Sequence, residues 1–291
     1  MELPQKLYKY RPLNFLTLRN LMLGHVYYAS PSSFNDPSDC NPEIAIDVSL
    51  AQLEQLYCQF PNYLGDQPKK SLNLDELRAQ FSVEDNYQRH LLKKIKESLR
   101  SYFSTMGVLS LGANWDCALM WSHYAKEHRG ICIEYDTTEL TAEFVQFAPK
   151  RVLYEKQRSI HASSLYNWIV ENDSSVGIEI ETIYFFHKAK CWEYEKEWRE
   201  IVKGHGISFG SSKPISAIHF GSKCEYLDKA ILIKALNTTK LDIVFFEVSY
   251  KEASFDLKRE MISAERISDF LKLPSESITV EYLRNMKNDK K

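Results

Sequence analysis

The chain has 291 residues, 44% of them hydrophobic and 26% charged, with a formal net charge of −2. That size and composition describe one large globular domain or two closely joined ones, and ten glycines and ten prolines exclude long flexible linkers. A charge so close to zero excludes bulk attraction to a polyanion, so nucleic-acid binding would need a local basic patch.

In chain order, residues 6–11 alternate like a short strand that Pro12 ends. Phe15, Leu18, Leu21 and Met22 predict a helix over 15–23, stopped at Gly24. Residues 25–29 read as a second strand running into a cluster of turn formers at 31–37. From 48 to 104 apolar residues recur at three- and four-residue steps, over 50–60 and again over 84–103. A polar, turn-rich stretch at 61–70 separates the two runs. This predicts a helical segment, 48–104, inserted within a single domain spanning 1–291.

Strands resume at 107–111, and Asp116 is a candidate N-cap for a helix through Trp121 and Tyr124 that Gly130 ends. Strands follow at 131–135 and 151–154, then helices over 164–170 and 178–188. The remaining expected elements are strands at 192–202, 217–220 and 243–248, with a helix at 228–236. Strands and helices without regular βαβ repetition indicate an α+β fold.

Six cysteines (Cys40, Cys58, Cys117, Cys132, Cys191 and Cys224) include no C-x-x-C pair, which suits core thiols in a reducing cytoplasm. The first six residues carry no apolar signal core and no run approaches a membrane span, so cytoplasmic localisation without membrane contact is expected. The basic tail 284–291 reads as a solvated terminus. His123 and His128 would sit roughly 140° apart on a helix, and His187 with Cys191 has no second pair, so no metal site is expected. Walker, G-x-S-x-G and G-x-G-x-x-G signatures are absent.

Four segments concentrate polar chemistry. Tyr8-Lys9-Tyr10-Arg11 is either a snorkelling surface strand or an anion site in which Arg11 offers a planar fork to a phosphate. In 33–39, Asn35 or Asp36 closes an Asx turn, or Asn35, Asp36 and Asp39 line a pocket mouth. In the helix 120–125, Ser122, His123 and Tyr124 cannot all face an apolar core, so one faces a cleft. The stretch 191–200 (CWEYEKEWRE) sets four carboxylates among three rings. Read as a strand, it puts Glu193, Glu195, Glu197 and Arg199 on one face, where like charges repel. Either a salt-bridged edge or a carboxylate site answers that pattern. Glu193 and Glu200 read as solvated, and Glu195 and Glu197 as the pair of interest.

The motifs LYKYRP (7–12), YASPSSFNDP (28–37), MWSHY through GICIEY (120–135) and WEYEKEWR (192–199) occur in this order. Together they resemble a widespread bacterial family long labelled a domain of unknown function, in outline over residues 6–250. The layout is also similar to the ADP-ribosyltransferase superfamily, many of whose members are toxins or phage-defence effectors. That resemblance implies an α+β fold of mixed sheets, with NAD as substrate and a nucleic-acid or protein acceptor. It also implies an antitoxin or regulatory partner.

The resemblance gives Arg11, on the first strand, the grip on the NAD pyrophosphate, with no histidine there. Tyr10, Tyr28, Ser30, Asn35, Asp36 and Tyr124 are the other cofactor-binding candidates. Tyr28, Ser30 and Tyr124 compete for the middle aromatic or hydroxyl position. Glu197 takes the catalytic role, with Glu195 the alternative, because an ionised carboxylate stabilises the oxocarbenium-like centre formed when nicotinamide leaves ribose. Two other functions stay open: a non-catalytic nucleotide- or macromolecule-binding module, and a metal-dependent nuclease using Asp36, Asp39 and glutamates.

Overall fold

The computed structural model describes residues 2–63, 73–138, 149–206, 208–209, 215–239 and 242–273. The basic tail 284–291 and most of the stretch expected as turns at 61–70 lie outside them.

The chain opens with β1 (Lys6–Arg11), α1 (Phe15–Met22), β2 (Val26–Tyr27) and β3 (Glu43–Ala45). Three helices follow, α2 (Leu50–Tyr63), α3 (Leu74–Arg78) and α4 (Glu84–Ser104), then β4 (Met106–Gly112), α5 (Ala118–Tyr124) and β5 (Ile131–Asp136). Short strands β6 (Lys150–Arg151), β7 (Leu153–Glu155) and β8 (Ser159–His161) lead to α6 (Ala162–Ile169), α7 (Ser174–Phe186) and β9 (His187–Ala189). A 3-10 helix, Lys190–Glu195, precedes β10 (Glu197–Lys203) and β11 (Ser208–Phe209). The last elements are β12 (Ile215–Phe220), α8 (Tyr226–Asn237), β13 (Val244–Tyr250), β14 (Leu257–Met261) and α9 (Ala264–Lys272). The fold is α+β.

Eight strands form one sheet in the order β14-β13-β12-β5-β1-β4-β10-β6, with two-stranded pairs β11-β2, β3-β8 and β7-β9 beside it. Within the large sheet β12 and β13 run parallel and every other neighbouring pair antiparallel. β1 holds β5 through six registered pairs, from Lys6–Asp136 to Arg11–Ile131. β4 holds β10 through seven, from Glu197–Gly112 to Lys203–Met106. Between β1 and β4 the one registered pair is Tyr8–Gly112. Each strand follows its better-bonded neighbour, and the sheet opens beyond that point. At the end of the β1–β5 ladder Gly130 lets the backbones approach, since a Cβ there would stand 2.2 Å from the Arg11 carbonyl oxygen.

Period-two alternation on β1 puts Leu7 on one face and Tyr8 and Tyr10 on the other. Leu7 joins Leu109, Leu111, Ile131 and Ile133 beneath Leu21 of α1, Leu232 and Ile233 of α8 and Phe270 of α9. Tyr8 and Tyr10 pack with Met120 and Trp121 of α5. The helices of 50–104 share a third core with α6 and α7, reaching Val108 of β4. On α4, Tyr87, Leu91, Ile95, Leu99 and Phe103 are buried at four-residue steps, a stripe worth roughly 1.5–3 kcal/mol per side chain.

Several boundaries depart from the sequence expectation. The strand expected at 25–29 keeps only Val26–Tyr27, with Ala29 bridging to Val108. The strand expected at 151–154 splits at Val152 into β6 and β7, in different sheets. α5 begins after Cys117 rather than Asp116, and it ends at Tyr124, well before Gly130. Lys126, Glu127 and His128 intervene with φ of 48°, 54° and 68°. α7 ends at Phe186, which leaves Lys188 on β9. The strand expected at 192–202 is a 3-10 helix to Glu195, a left-handed Lys196 at φ 43°, and then β10. β14 and α9 were outside the expectation altogether. Among the described residues, no helix is long and apolar enough to cross a membrane.

On the α5 side of the sheet, Glu134 accepts hydrogen bonds from Ser216 at 2.8 Å and Arg259 at 2.9 Å, beside the fully buried His219. Burial alone would raise its carboxyl, but the bonds from His219, Ser216 and Arg259 outweigh that and hold it at about 2, below the ordinary 4.5. The stability gained is complete above pH 4.5 and is lost as pH falls towards 2. Urea titrations between about pH 5 and about pH 3 should show that loss, and Glu134→Gln should flatten it.

Candidate active site

The opening between β1 and β4 is a cavity of about 370 Å³. One wall is Lys9, Arg11 and Pro12, and another is Val108, Ser110, Leu111 and Gly112 of β4. Tyr27 of β2 and Ala29, Phe34 and Asn35 of the following loop also line it, with Met120, His123 and Tyr124 from α5. At the far wall stand Asp39, Lys188, Glu195, Glu197 and Arg199.

These last five form one ion network. Lys188 Nζ lies 2.5 Å from Glu195, 3.0 Å from Glu197 and 3.6 Å from Asp39. Arg199, 1% exposed, donates from Nε to Glu197 at 2.7 Å and from Nη1 and Nη2 to Asp39 at 3.0 and 2.6 Å. A further Nη1 bond reaches the Phe185 carbonyl at 2.7 Å, and the guanidinium carbon sits 5.3 Å from the Phe34 ring centre. The break at Lys196 matters here: it turns Glu195 and Glu197 onto the same amine, so Lys188 offsets the repulsion that a continuous strand would leave. Lys196 is held by its N–H donating to the Glu193 carbonyl and its own carbonyl accepting from Ala113 N.

The two glutamates are pushed in opposite directions. Burial desolvates Glu197, but Arg199 and Lys188 outweigh it and hold its carboxyl well below the ordinary carboxylate range. Burial raises Glu195, and the neighbouring Glu197 charge adds to the rise against the pull of Lys188. Tyr124 donates its hydroxyl to Glu195 at 2.8 Å, and Asn35 Nδ2 donates to Tyr124 Oη at 3.4 Å.

The near wall carries the opposite imbalance. Lys9 and Arg11 share a strand face by period two, and among the described residues neither meets a carboxylate at ion-pair distance. Arg11 lies over the Tyr27 ring at 5.8 Å, and Lys9 donates to the Ser110 carbonyl at 2.5 Å. A guanidinium without an acid partner in a half-buried wall, with the Lys9 amine as a second donor beside it, makes an anion-binding feature.

Glu197, Glu195, Arg11, Asn35 and Tyr124 therefore border one cavity. Tyr10 also borders it, but its ring packs edge-on against Trp121 and its hydroxyl donates to the Asn114 carbonyl at 2.8 Å. Three other candidates are placed elsewhere. Tyr28 donates its hydroxyl to Glu200 at 2.7 Å, away from the cavity lining. Ser30 caps the 3-10 turn Pro31–Ser33. Asp36 closes a turn onto Ser38 and accepts from Trp192 Nε1 at 2.7 Å. Glu200, expected in solvent, is buried, whereas Glu193 is exposed and pairs with Lys190 at 2.6 Å. Cys191, expected in the core, is exposed.

Lys9, Ser110, His123 and Lys188 border the cavity without having been singled out as its residues. Lys9 was legible as the strand-face neighbour of Arg11, whereas Lys188 depends on where α7 stops. Tyr28→Phe is expected to cost about 1–2 kcal/mol through the lost bond to a buried carboxylate. Urea unfolding should register that cost while ligand binding in the cavity stays unchanged.

Among the described residues no group of three His, Cys, Asp or Glu could hold a metal ion. The acids named for a metal nuclease are committed otherwise: Asp36 to its turn and Trp192, Asp39 to Arg199.

No curated protein and no solved structure matches the chain. A family model described as a protein of unknown function (DUF2971) matches residues 120–200. That stretch runs from α5 through the start of β10 and contains Tyr124, Lys188, Glu195, Glu197 and Arg199, so over the far wall of the cavity the chain is similar to that family.

Proposed function

We propose that the cavity binds NAD, cleaves its nicotinamide–ribose bond and transfers ADP-ribose to a nucleic-acid or protein acceptor, as an ADP-ribosyltransferase-like effector. One observation carries this function. Two carboxylates with opposed proton affinities share one wall, and Arg11, which meets no acid at ion-pair distance among the described residues, stands on the opposite wall. Environments that drive neighbouring acids apart assign one to charge stabilisation and the other to proton transfer.

Arg11 offers a two-pronged contact to the pyrophosphate, which brings the counter-charge that wall lacks. Glu197, kept ionised, faces the ribose and stabilises positive charge at the anomeric carbon as nicotinamide departs. Glu195 has the higher proton affinity of the two, so its carboxylate, oriented by the Tyr124 hydroxyl, takes up the acceptor's proton as the new bond forms. Tyr27 supplies an aromatic face beside Arg11.

Incubating the purified protein with NAD and candidate acceptors tests this. Release of nicotinamide, lost in Arg11→Met, is the expected result. Binding of NAD without release would instead favour a non-catalytic nucleotide-binding module.

A further inference from the structure

Lys9 takes no part in that reaction, yet it is placed for chemistry. Its side chain crosses the opening between β1 and β4 to reach the Ser110 carbonyl. Continued past Tyr8–Gly112, the register would set Tyr10 against Ser110. The amine therefore contacts a carbonyl on the strand that β1 has parted from. Lys188 is surrounded by three carboxylates, whereas Lys9 meets none at ion-pair distance among the described residues. A neutral amine with one N–H on Ser110 keeps its lone pair free to face the cavity.

The surroundings favour that neutral form. Burial and the Arg11 guanidinium push the Lys9 ammonium down to about 7, against the weaker opposing pull of Glu197 and Glu195 and with Arg199 adding to the decrease. Val108, Leu111 and Met120 give the cavity apolar walls, and Glu195 across it is a carboxyl that burial keeps protonatable. An amine depressed towards neutrality by burial and a second cation is the usual form of a carbonyl-attacking lysine.

We propose that Lys9 is an imine-forming nucleophile that captures the open-chain aldehyde of phosphorylated sugars, with Arg11 holding the phosphate. The Nζ lone pair attacks the aldehyde carbon, and a proton passes from nitrogen to the carbonyl oxygen to give a carbinolamine. Glu195 protonates the hydroxyl, which leaves as water while the nitrogen lone pair closes the C=N bond. The nitrogen's remaining proton returns to Glu195. The balance is one amine and one aldehyde giving one imine and one water, with no oxidant or reductant. This capture stands whether or not the cavity cleaves NAD.

The test is reductive trapping of the full-length protein with ribose 5-phosphate and cyanoborohydride, which reduces the imine to a stable amine, followed by peptide mapping. A dominant adduct on the peptide carrying Lys9 is expected. It should form faster as pH rises through about 7, be at least tenfold weaker with unphosphorylated ribose, and be suppressed when inorganic pyrophosphate is present during trapping. Lys9→Arg should lose the adduct while keeping its circular dichroism, and Glu197→Gln should keep it, which separates this capture from NAD cleavage. Adducts spread over exposed lysines of the wild-type protein, with Lys9 unmodified, would overturn the proposal without recourse to any variant.

Discussion

Arg199→Met should lower the unfolding free energy by about 3–5 kcal/mol, the usual consequence of removing one partner from a buried ion pair. The guanidinium bonds both oxygens of Asp39 and both of Glu197. Methionine fills much of the stem's volume but leaves the buried Asp39, Glu195 and Glu197 with Lys188 as their remaining ion-pair partner. Urea unfolding measures the loss through the midpoint, with the slope unchanged if the unfolded state is unaffected. Combining the change with Asp39→Asn should cost less than the sum of the two, because the stranded charge is removed with its partner. A loss below about 1 kcal/mol for Arg199→Met would mean that water reaches this network.

The second large effect concerns Glu197. Glu197→Gln should slow nicotinamide release from NAD by about 100-fold or more, the scale of losing one pre-aligned electrostatic group at a developing charge. Glutamine keeps the shape and one acceptor for Arg199, so circular dichroism should be retained. Glu195→Gln should act differently, slowing transfer to the acceptor more than nicotinamide release. Transfer in the wild-type protein should increase as pH rises through the raised Glu195 value, since the carboxylate must be free to take the acceptor's proton. Equal rates for Glu197→Gln and wild type would remove Glu197 from the chemistry.

Local pattern carried much of the fold. The alternation of 6–11, the four-residue steps of 84–103 and the strand-like runs at 107–111 and 131–135 correspond to β1, α4, β4 and β5. Strand order was not legible, and it is strand order that makes the cavity: β1 and β4 part because each has a better-bonded neighbour elsewhere. The carboxylates at 195 and 197 stood out as repeated charge, but their environment did not. Alternation assigned them to one continuous strand, whereas Lys196 adopts a left-handed conformation between them. Lys188 was hidden inside an expected helix, and its role exists because α7 ends at Phe186. The resemblance offered Tyr28 as a cofactor-binding candidate, yet its hydroxyl follows the buried Glu200. In each case long-range pairing decided the outcome, which period and propensity do not encode.

A crystal structure of Glu197→Gln soaked with NAD is the most direct measurement. The proposed function puts the pyrophosphate oxygens within hydrogen-bond distance of Arg11 and the nicotinamide ribose against residue 197, inside the opening between β1 and β4. NAD bound outside that opening, or a cavity still empty at saturating NAD in a protein whose fold is intact, would contradict it.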